Sequence, residues 1–446
     1  MSDKLAITPL DAWTTKKIGV KTLTADKLAA YQLSCLQTTI ARVQQLSPFY
    51  RQQLAGYRQI DCLESLSRYP FTTPEQLAKQ AGVMMCGSQS QISRVVTLAT
   101  SGTTGNPKRI YFSKADQELT IEFFATGMST LAGTGDKTLI LLPGQRPGSV
   151  GDLLWQGLQR IAAIPTLYGL VDDTAVAVQT MCREEAVCLV GVPVQLLAMA
   201  KYWESWGQSA WTPRRVLVST DYLSQAVISE LSRIWHCEIF DHYGMTEMGL
   251  GGGLECAAHA GYHLREADLY FEIIDPVSGK TLPDGEYGEV VFTTLTRQGM
   301  PLVRYRTGDI SRFITEPCPC GSILKRLERI QRRKDGLLTI TPAGQLTMAD
   351  FDEVLLGLPG VTNFSVTVIK NKPIAIKLIV EVVPGQSPTD KSQIYQAVRQ
   401  LPAIREAERQ GGLVVFGEFT HKLTSAPGKR SIQVTVGAEE DAENVR

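Results

Sequence analysis

The sequence lacks the features that mark membrane, secreted and nucleic-acid-binding proteins. Its 446 residues contain 45 Lys and Arg against 45 Asp and Glu, so no excess of charge predicts binding to nucleic acid or to an anionic membrane. No stretch approaches the roughly 20 apolar residues of a membrane span. The N-terminal segment has no basic region followed by an apolar run, so we expect no signal peptide and a cytoplasmic location.

Cysteine is too sparse to predict a disulfide framework. There are nine cysteines, and the chain shows no secretory signal. Apolar residues make up 43% of the chain, which is enough for a large core. Since domains usually have about 100–200 residues, this length predicts more than one structural unit.

Short apolar runs alternate with helical stretches through the first part of the chain. Helical spacing appears at 24–57, 116–131 and 193–205, and residues 94–98 are among the strand-like runs. This alternation predicts an α/β domain with a largely parallel sheet. From about residue 268 strands dominate, so we expect mixed sheets in the domain as a whole.

A charged segment without apolar residues, Gln-Arg-Arg-Lys-Asp-Gly at 331–336, predicts a boundary. We therefore expect a large N-terminal α/β domain over 1–333 and a small α+β domain over 334–446. The small domain has strand patterns at 363–370, 373–382 and 412–416, and a helical pattern at 389–400.

One loop has the composition of a phosphate-binding segment. It follows the strand-like run 94–98 and reads Thr100-Ser101-Gly102-Thr103-Thr104-Gly105-Asn106-Pro107-Lys108. Its glycines let the backbone approach an anion closely, while hydroxyl groups and backbone N–H groups surround phosphate oxygens. Lys108 adds a positive charge. The spacing differs from the nucleoside-triphosphatase loop G-x-x-x-x-G-K-[ST].

This loop and three later motifs resemble the adenylate-forming superfamily of acyl-CoA synthetases, luciferases and adenylation domains. The later motifs follow in the order of that family: Tyr243-Gly244-Met245-Thr246-Glu247, Tyr305-Arg306-Thr307-Gly308-Asp309 and Pro427-Gly428-Lys429. The resemblance covers most of the chain. It implies that the small domain rotates about a hinge, near Asp335, and carries Lys429.

The resemblance also implies an ATP site and the roles of its residues. Tyr243 would pack on adenine, Thr246 would contact the α-phosphate and Glu247 would bind magnesium, which prefers oxygen ligands. Asp309 would accept the ribose hydroxyl groups. The full implied nucleotide set is Ser101, Gly102, Thr103, Thr104, Gly105, Lys108, Ser219, Thr220, Asp221, His242, Tyr243, Gly244, Met245, Asp309 and Arg333.

Lys429 is implied to be the catalytic lysine of the adenylation step. The acid carboxylate attacks the α-phosphate of ATP, and pyrophosphate leaves. We expect Lys429, Thr246 and Glu247 to act through positioning and charge stabilisation. A lysine on a mobile domain can then move away for a second half-reaction.

Cysteine and histidine residues form a candidate zinc site. Cys318 and Cys320 lie in a Pro/Gly turn, and Cys256, His259 and His263 lie upstream. Three thiolates and one imidazole suit a closed tetrahedral zinc site. The region resembles the phenylacetate–CoA ligase branch, whose histidine follows a glycine and an aromatic or aliphatic residue. This pattern favours His263 as the fourth ligand, with His259 as the alternative. The zinc would be structural.

The segment after the hinge departs from the family pattern. Residues 338–345 lack the Arg-Gly pair usual in acyl-CoA ligases. Transfer to coenzyme A is expected, but an adenylyltransferase acting on a deazaflavin-type hydroxyl and a non-catalytic nucleotide-binding protein remain alternatives.

The expected partner is a small-molecule acid, with no nucleic acid and no membrane. An aryl or arylacetic acid is expected, because the glycine run 249–253 should leave room near the nucleotide. Tyr168, His242 and the glycine run could line the acid site, and Arg146 could pair with a second anionic group of the acid. The family allows a homodimer.

Overall fold

The computed structural model describes residues 5–98, 107–206, 211–330, 332–333, 336–341, 344–370, 373–383, 391–420 and 430–435. Several predicted residues lie outside these ranges: Ser101, Gly102, Thr103, Thr104, Gly105, Asp335 and Lys429.

Most of the described α-helices lie before residue 236. The α-helices are α1 (Pro9–Ile18), α2 (Ala25–Leu46), α3 (Pro48–Gln53), α4 (Pro74–Met84), α5 (Lys114–Met128), α6 (Val150–Arg160), α7 (Thr174–Arg183), α8 (Pro193–Trp206), α9 (Gln225–Trp235), α10 (Met348–Leu355), α11 (Lys391–Val398) and α12 (Pro402–Arg409). Short 3₁₀ helices occupy Leu63–Arg68, Gln89–Gln91 and Thr246–Met248. Among the described residues, no helix combines the length and apolar character needed to cross a bilayer.

Strands occur in both halves of the chain. They are β1 (Ile92–Leu98), β2 (Lys108–Ser113), β3 (Lys137–Ile140), β4 (Ile164–Leu167), β5 (Cys188–Gly191), β6 (Arg215–Val218), β7 (Glu238–Tyr243), β8 (Gly253–Glu255), β9 (Tyr262–Leu264), β10 (Leu269–Ile274), β11 (Gly288–Thr294), β12 (Tyr305–Ser311), β13 (Phe313–Ile314), β14 (Arg326–Leu327), β15 (Arg332–Arg333), β16 (Leu338–Thr341), β17 (Gly344–Leu346), β18 (Val361–Ile369), β19 (Ile374–Val382), β20 (Leu413–Thr420) and β21 (Gln433–Thr435).

Local sequence explains one departure from the predicted helices. The helical pattern at 24–57 is two helices, because Pro48 cannot donate a backbone hydrogen bond inside a helix. Ser47 instead caps α3, and its hydroxyl accepts from the Tyr50 N–H.

The chain divides into two compact units. The first unit consists of Met1–Gly169 and Phe240–Gln331, and the second consists of Leu170–Ile239 and Arg332–Arg446. The second unit resumes at the predicted boundary near residue 333. It also contains residues 170–239, which were predicted to belong to the large domain.

The first unit contains both antiparallel and parallel strand pairs. β1 and β2 form an antiparallel hairpin in which Leu98 pairs with Lys108, so the predicted phosphate loop connects the two strands. β10, β11 and β12 are antiparallel neighbours, and β7, β8, β9, β14 and β13 pair antiparallel in that order. β3 and β4 are parallel. Its main core packs α2, α3 and α4 against β10, β11 and β12.

The second unit combines a parallel pair with a four-stranded sheet. β5 and β6 are parallel, while the other sheet has the order β20-β19-β18-β21 with parallel and antiparallel pairs. The mixed α/β class is therefore confirmed, and β3–β4 and β5–β6 are parallel pairs, as the alternation of strands and helices predicted.

Candidate nucleotide site and cysteine–histidine cluster

Glu247 is a buried carboxylate held by a lysine and a tyrosine. It lies in the 3₁₀ helix Thr246–Met248 and is 4% exposed. The Lys108 ammonium donates to Glu247 Oε1 at 2.7 Å, and the Tyr305 hydroxyl donates to the same oxygen at 3.1 Å. Neither donor occupies Oε2. Burial alone would raise the pKa of Glu247, but the Lys108 charge and hydrogen bond hold the pKa below its usual value.

Lys108 reaches Glu247 from the first position of β2, directly after the predicted phosphate loop. The hairpin register that pairs Lys108 with Leu98 fixes where the lysine backbone lies. The described end of the loop therefore lies beside the predicted magnesium ligand. A carboxylate close to a phosphate-binding segment is a setting in which magnesium can bind.

Tyr243 and Asp309 are also brought together. The Tyr243 hydroxyl donates to Asp309 Oδ2 at 3.0 Å, and both side chains are buried. Asp309 lies on β12, where Gly308 has a φ of +76° that favours glycine. The predicted adenine and ribose residues thus share one hydrogen bond within the first unit.

Aromatic side chains surround His242 and the glycine run. The rings of Phe123 and Phe124 each lie 6.4 Å from the His242 ring. Burial lowers the pKa of His242 to about 4, so its imidazole is neutral near pH 7.

The glycine run 249–253 does not leave open space at two of its positions. A Cβ atom at Gly251 would meet Phe123 Cε1 at 2.4 Å, and one at Gly252 would meet Met248 Sδ at 2.6 Å. The expectation of room there was wrong, because these glycines allow close packing of backbone against side chains. Gly244 is also closely packed, since a Cβ atom at this position would meet the Leu250 carbonyl oxygen at 2.4 Å.

Met245 and Thr246 complete this motif in the first unit. Met245 has extended backbone and precedes the 3₁₀ helix, and Thr246 is its first residue. Both side chains are partly exposed. Their predicted contacts with a nucleotide stay predictions.

The remaining described residues of the predicted nucleotide set belong to the second unit. Ser219 and Thr220 follow β6, and Thr220 has a φ of +80°, an outlier for a β-branched residue. Such outliers occur often at functional sites, where surrounding structure maintains the strain. Asp221 Oδ2 accepts from Arg430 Nε at 3.2 Å, and Arg333 is exposed on β15.

The four predicted zinc ligands lie together in the first unit. One ligand atom from each of Cys256, His263, Cys318 and Cys320 falls within 4.8 Å of the others, and all four residues are buried. His263 Nε2 lies 3.4 Å from Cys320 Sγ, whereas His259 Nδ1 lies 3.4 Å from Glu255 Oε2. The geometry therefore groups His263, not His259, with the thiols.

The donor set fits a closed zinc site. Three sulfurs and one nitrogen are the ligand types of structural zinc. Burial lowers the pKa of His263 to about 4, which keeps the imidazole in its neutral, metal-binding form. Burial raises the pKa of the Cys256 thiol to about 12, so metal binding there would have to displace a proton.

Sequence reasoning missed two residues beside Glu247. Arg297 is buried and donates from Nη1 to the Glu247 carbonyl oxygen at 2.6 Å. Burial lowers the pKa of Arg297 to about 10. Tyr305 belongs to a motif that was recognised, yet its contact with Glu247 spans 58 residues and had no local signal.

Comparison with known proteins agrees with the motifs. The sequence model of the family described as "AMP-binding enzyme" matches residues 68–296, just over half of the chain. A phenylacetate–coenzyme A ligase of Thermus thermophilus is 28% identical over 372 residues, which cover 79% of this chain and 80% of the relative. A phenylacetate–coenzyme A ligase of Pseudomonas putida is 30% identical over 338 residues, covering 72% and 74%.

A solved structure shares the fold. It is a 2-hydroxyisobutyryl-CoA ligase in its postadenylation state, with a TM-score of 0.76 and 18% identity, covering 94% of this chain and 91% of the other. The chain therefore belongs to the AMP-binding enzyme family, in the phenylacetate–CoA ligase-like branch of the adenylate-forming superfamily, and is an adenylate-forming acid–thiol ligase.

Proposed function

We propose that this enzyme uses ATP to activate an aryl or arylacetic acid and transfers the acyl group to coenzyme A. The observation that carries the proposal is the pairing of Lys108 with Glu247 beside Tyr305 in the first unit. A cationic residue after a phosphate loop and a buried carboxylate are what a triphosphate with magnesium requires.

The nucleotide would lie against Tyr243 with its ribose on Asp309. An ionised aspartate has two acceptor oxygens, which suit two ribose hydroxyl groups. The Tyr243 hydroxyl, now bound to Asp309 Oδ2, would keep that carboxylate in one orientation. Ser219, Thr220 and Asp221 are proposed to contact the adenine edge.

Magnesium fits Glu247, because Oε1 faces Lys108 and Tyr305 while neither of these donors takes Oε2. When bound, the ion would neutralise phosphate charge. Arg297 holds the Glu247 backbone through the carbonyl oxygen, and Lys108 would exchange its contact with Glu247 for one with a phosphate oxygen.

In the adenylation step, a carboxylate oxygen of the acid attacks the α-phosphorus of ATP. A new P–O bond forms, the bond to the β-phosphate oxygen breaks, and pyrophosphate leaves with the electron pair. Thr246 would hold an α-phosphate oxygen, and Lys429 would stabilise the charge that develops there. No proton has to move, because the acid is ionised at neutral pH.

The aromatic substrate class rests on two observations. Two of the relatives that match this chain are phenylacetate–coenzyme A ligases. In addition, Phe123 and Phe124 lie beside a neutral His242, and ring faces and edges favour contact with another aromatic group.

Zinc at the cluster would be structural. Cys256 and His263 would join Cys318 and Cys320 as four ligands with no open position, so the metal would hold the 256–263 segment to the 318–320 turn. It would not take part in acyl transfer.

Pyrophosphate exchange over a panel of acids tests the proposal. Phenylacetate and benzoate are compared with cyclohexylacetate, which has a saturated ring, and with 2-hydroxyisobutyrate. We expect exchange with the aromatic acids to be fastest. Lys429→Ala should abolish it, while Lys280→Ala, at an exposed lysine, should leave it unchanged. Fastest exchange with 2-hydroxyisobutyrate would contradict the aromatic class.

Product analysis tests the acceptor. With coenzyme A present, mass spectrometry should find an acyl-CoA and free AMP in equal amounts. A stable AMP adduct on a deazaflavin-type hydroxyl, with no thioester, would favour the adenylyltransferase alternative.

A further inference from the structure

The strands β7, β8 and β9 present different side chains on their two faces. In the antiparallel register, Tyr243 pairs with Gly253, and Glu255 pairs with Tyr262. Because side chains alternate along a strand, Tyr243 and Tyr262 share one face and His263 points to the other. Tyr243 and the proposed metal ligand His263 therefore lie on opposite faces of these strands.

The Tyr262 ring packs against the Tyr243 ring. The two rings are stacked, with centroids 5.8 Å apart and planes 28° from parallel. Gly253 makes this possible, since a Cβ atom there would lie 3.0 Å from Tyr262 Cβ. Tyr262 is 4% exposed, so its side chain contacts other protein groups and hardly any solvent.

Buried polar groups fix the other end of Tyr262. Its hydroxyl donates to Asp241 Oδ2 at 2.6 Å, and the Asp241 backbone N–H donates to Glu255 Oε2 at 3.0 Å. Arg329 donates from Nε to Glu255 Oε1 at 2.9 Å. These bonds join three neighbouring segments of the first unit around one tyrosine.

The cysteine–histidine cluster closes the hairpin that carries Tyr262. Cys256 directly follows Glu255 at the end of β8, and His263 directly follows Tyr262 on β9. Both are grouped with Cys318 and Cys320. A metal bound by these four residues would hold the end of β8 close to β9. It would thereby keep the stacked Tyr262 ring in one position.

We propose that Tyr262 is a positioning residue of the nucleotide site, which acts through Tyr243 and depends on the cysteine–histidine cluster for its own position. The inference rests on the proposed function, which places adenine on Tyr243. Tyr262 does not contact the nucleotide and takes no part in the chemical step.

Tyr262→Leu tests this role, with Tyr287→Leu as the matched control at an exposed tyrosine. Isothermal titration with AMP should show a Kd raised about tenfold in Tyr262→Leu, the size expected for loss of one aromatic contact. The KM for ATP should rise in parallel, with the KM for the acid unchanged. Tyr262→Phe keeps the ring and should bind AMP within about threefold of wild type.

Metal removal provides a second experiment, in which the measured quantity is the affinity for AMP and not the rate of turnover. Metal-free wild type should lose AMP affinity by a similar factor, and metal removal from Tyr262→Leu should cause little further loss. Tyr262→Met, with a flexible side chain that fills much of the same volume, serves if the leucine variant does not fold.

Unchanged AMP affinity in Tyr262→Leu, with AMP bound normally by wild type, overturns this inference alone. A fall in affinity for AMP and acid together with lower thermal stability also overturns it, because that pattern marks a general structural role. If wild type bound no AMP, the inference and the proposed function would fall together.

Discussion

Breaking the Lys108–Glu247 pair should have unequal consequences for its two members. Lys108 is 22% exposed at its side chain and Glu247 is 5% exposed. Lys108→Met leaves a buried carboxylate whose remaining side-chain donor is the Tyr305 hydroxyl. Glu247→Gln leaves an ammonium that can still reach water. We therefore expect the lysine substitution to be the more damaging.

The geometry gives the magnitude. Two unit charges 2.7 Å apart interact by about 6 kcal/mol at an effective dielectric constant of about 20, before desolvation is subtracted. Since removing one partner of a buried pair costs about 3–5 kcal/mol, we expect a loss of about 3 kcal/mol for Lys108→Met. The loss for Glu247→Gln should be about 1 kcal/mol, as for an ordinary hydrogen bond. The double variant should be about 2 kcal/mol more stable than the sum of the two single losses would predict.

Scanning calorimetry of the four proteins measures these values, because it can separate transitions of two units. The direction in which stability changes with pH provides a second check. The lowered pKa of Glu247 gives wild type stability that is present above the ordinary carboxyl pKa and lost as pH falls through the folded-state pKa. Without Lys108, burial raises the pKa of Glu247 above its ordinary value. The difference in stability between wild type and Lys108→Met should therefore shrink as pH falls from that raised pKa towards the lowered pKa of wild type. Equal losses for both single variants, with no coupling, would refute this reasoning.

Four further predictions concern other parts of the molecule. Elemental analysis should find one zinc per chain, and Cys320→Ser should lose it and unfold at a lower temperature. Gly251→Ala should destabilise the protein by about 1–3 kcal/mol through its clash with Phe123, whereas Gly82→Ala, in open space on α4, should be neutral or stabilising in the same urea titration. Lys201→Met should cost about 2–4 kcal/mol by calorimetry, because the buried Lys201 ammonium donates to three backbone carbonyl oxygens at 2.8–2.9 Å. In ¹³C NMR of labelled histidine, His242 should titrate near pH 4, and its contribution makes stability rise with pH between about 4 and 6.5; a midpoint at 6.5 would contradict its burial.

Local signals in the sequence were sufficient for many of the elements. Thr73, Pro74 and Gln76 together indicate a helix start from the sequence alone, and the structure forms the corresponding capping box at the start of α4. Two helices of the C-terminal part, α10 and α12, were missed although their signals were present. Thr347 caps α10 in a capping box with Asp350, and α12 begins at a proline.

The site could be predicted only as far as its motifs reached. Ordered motifs identified Lys108, Glu247 and Tyr243, because each lies in a short segment of recognisable composition. Arg297 and Tyr262 were not found, since their roles depend on contacts with residues 50 and 19 positions away, respectively. Such contacts are set by strand pairing and packing, which local periodicity does not encode.

The most direct test of the central claim is acid-dependent exchange of labelled pyrophosphate into ATP by wild type and by Lys429→Ala. We expect exchange with phenylacetate or benzoate in wild type, and a loss of at least about a hundredfold in the variant, as for removal of a charge that acts in the transition state. Absence of exchange with every aromatic acid, or equal exchange in the two proteins, would contradict it.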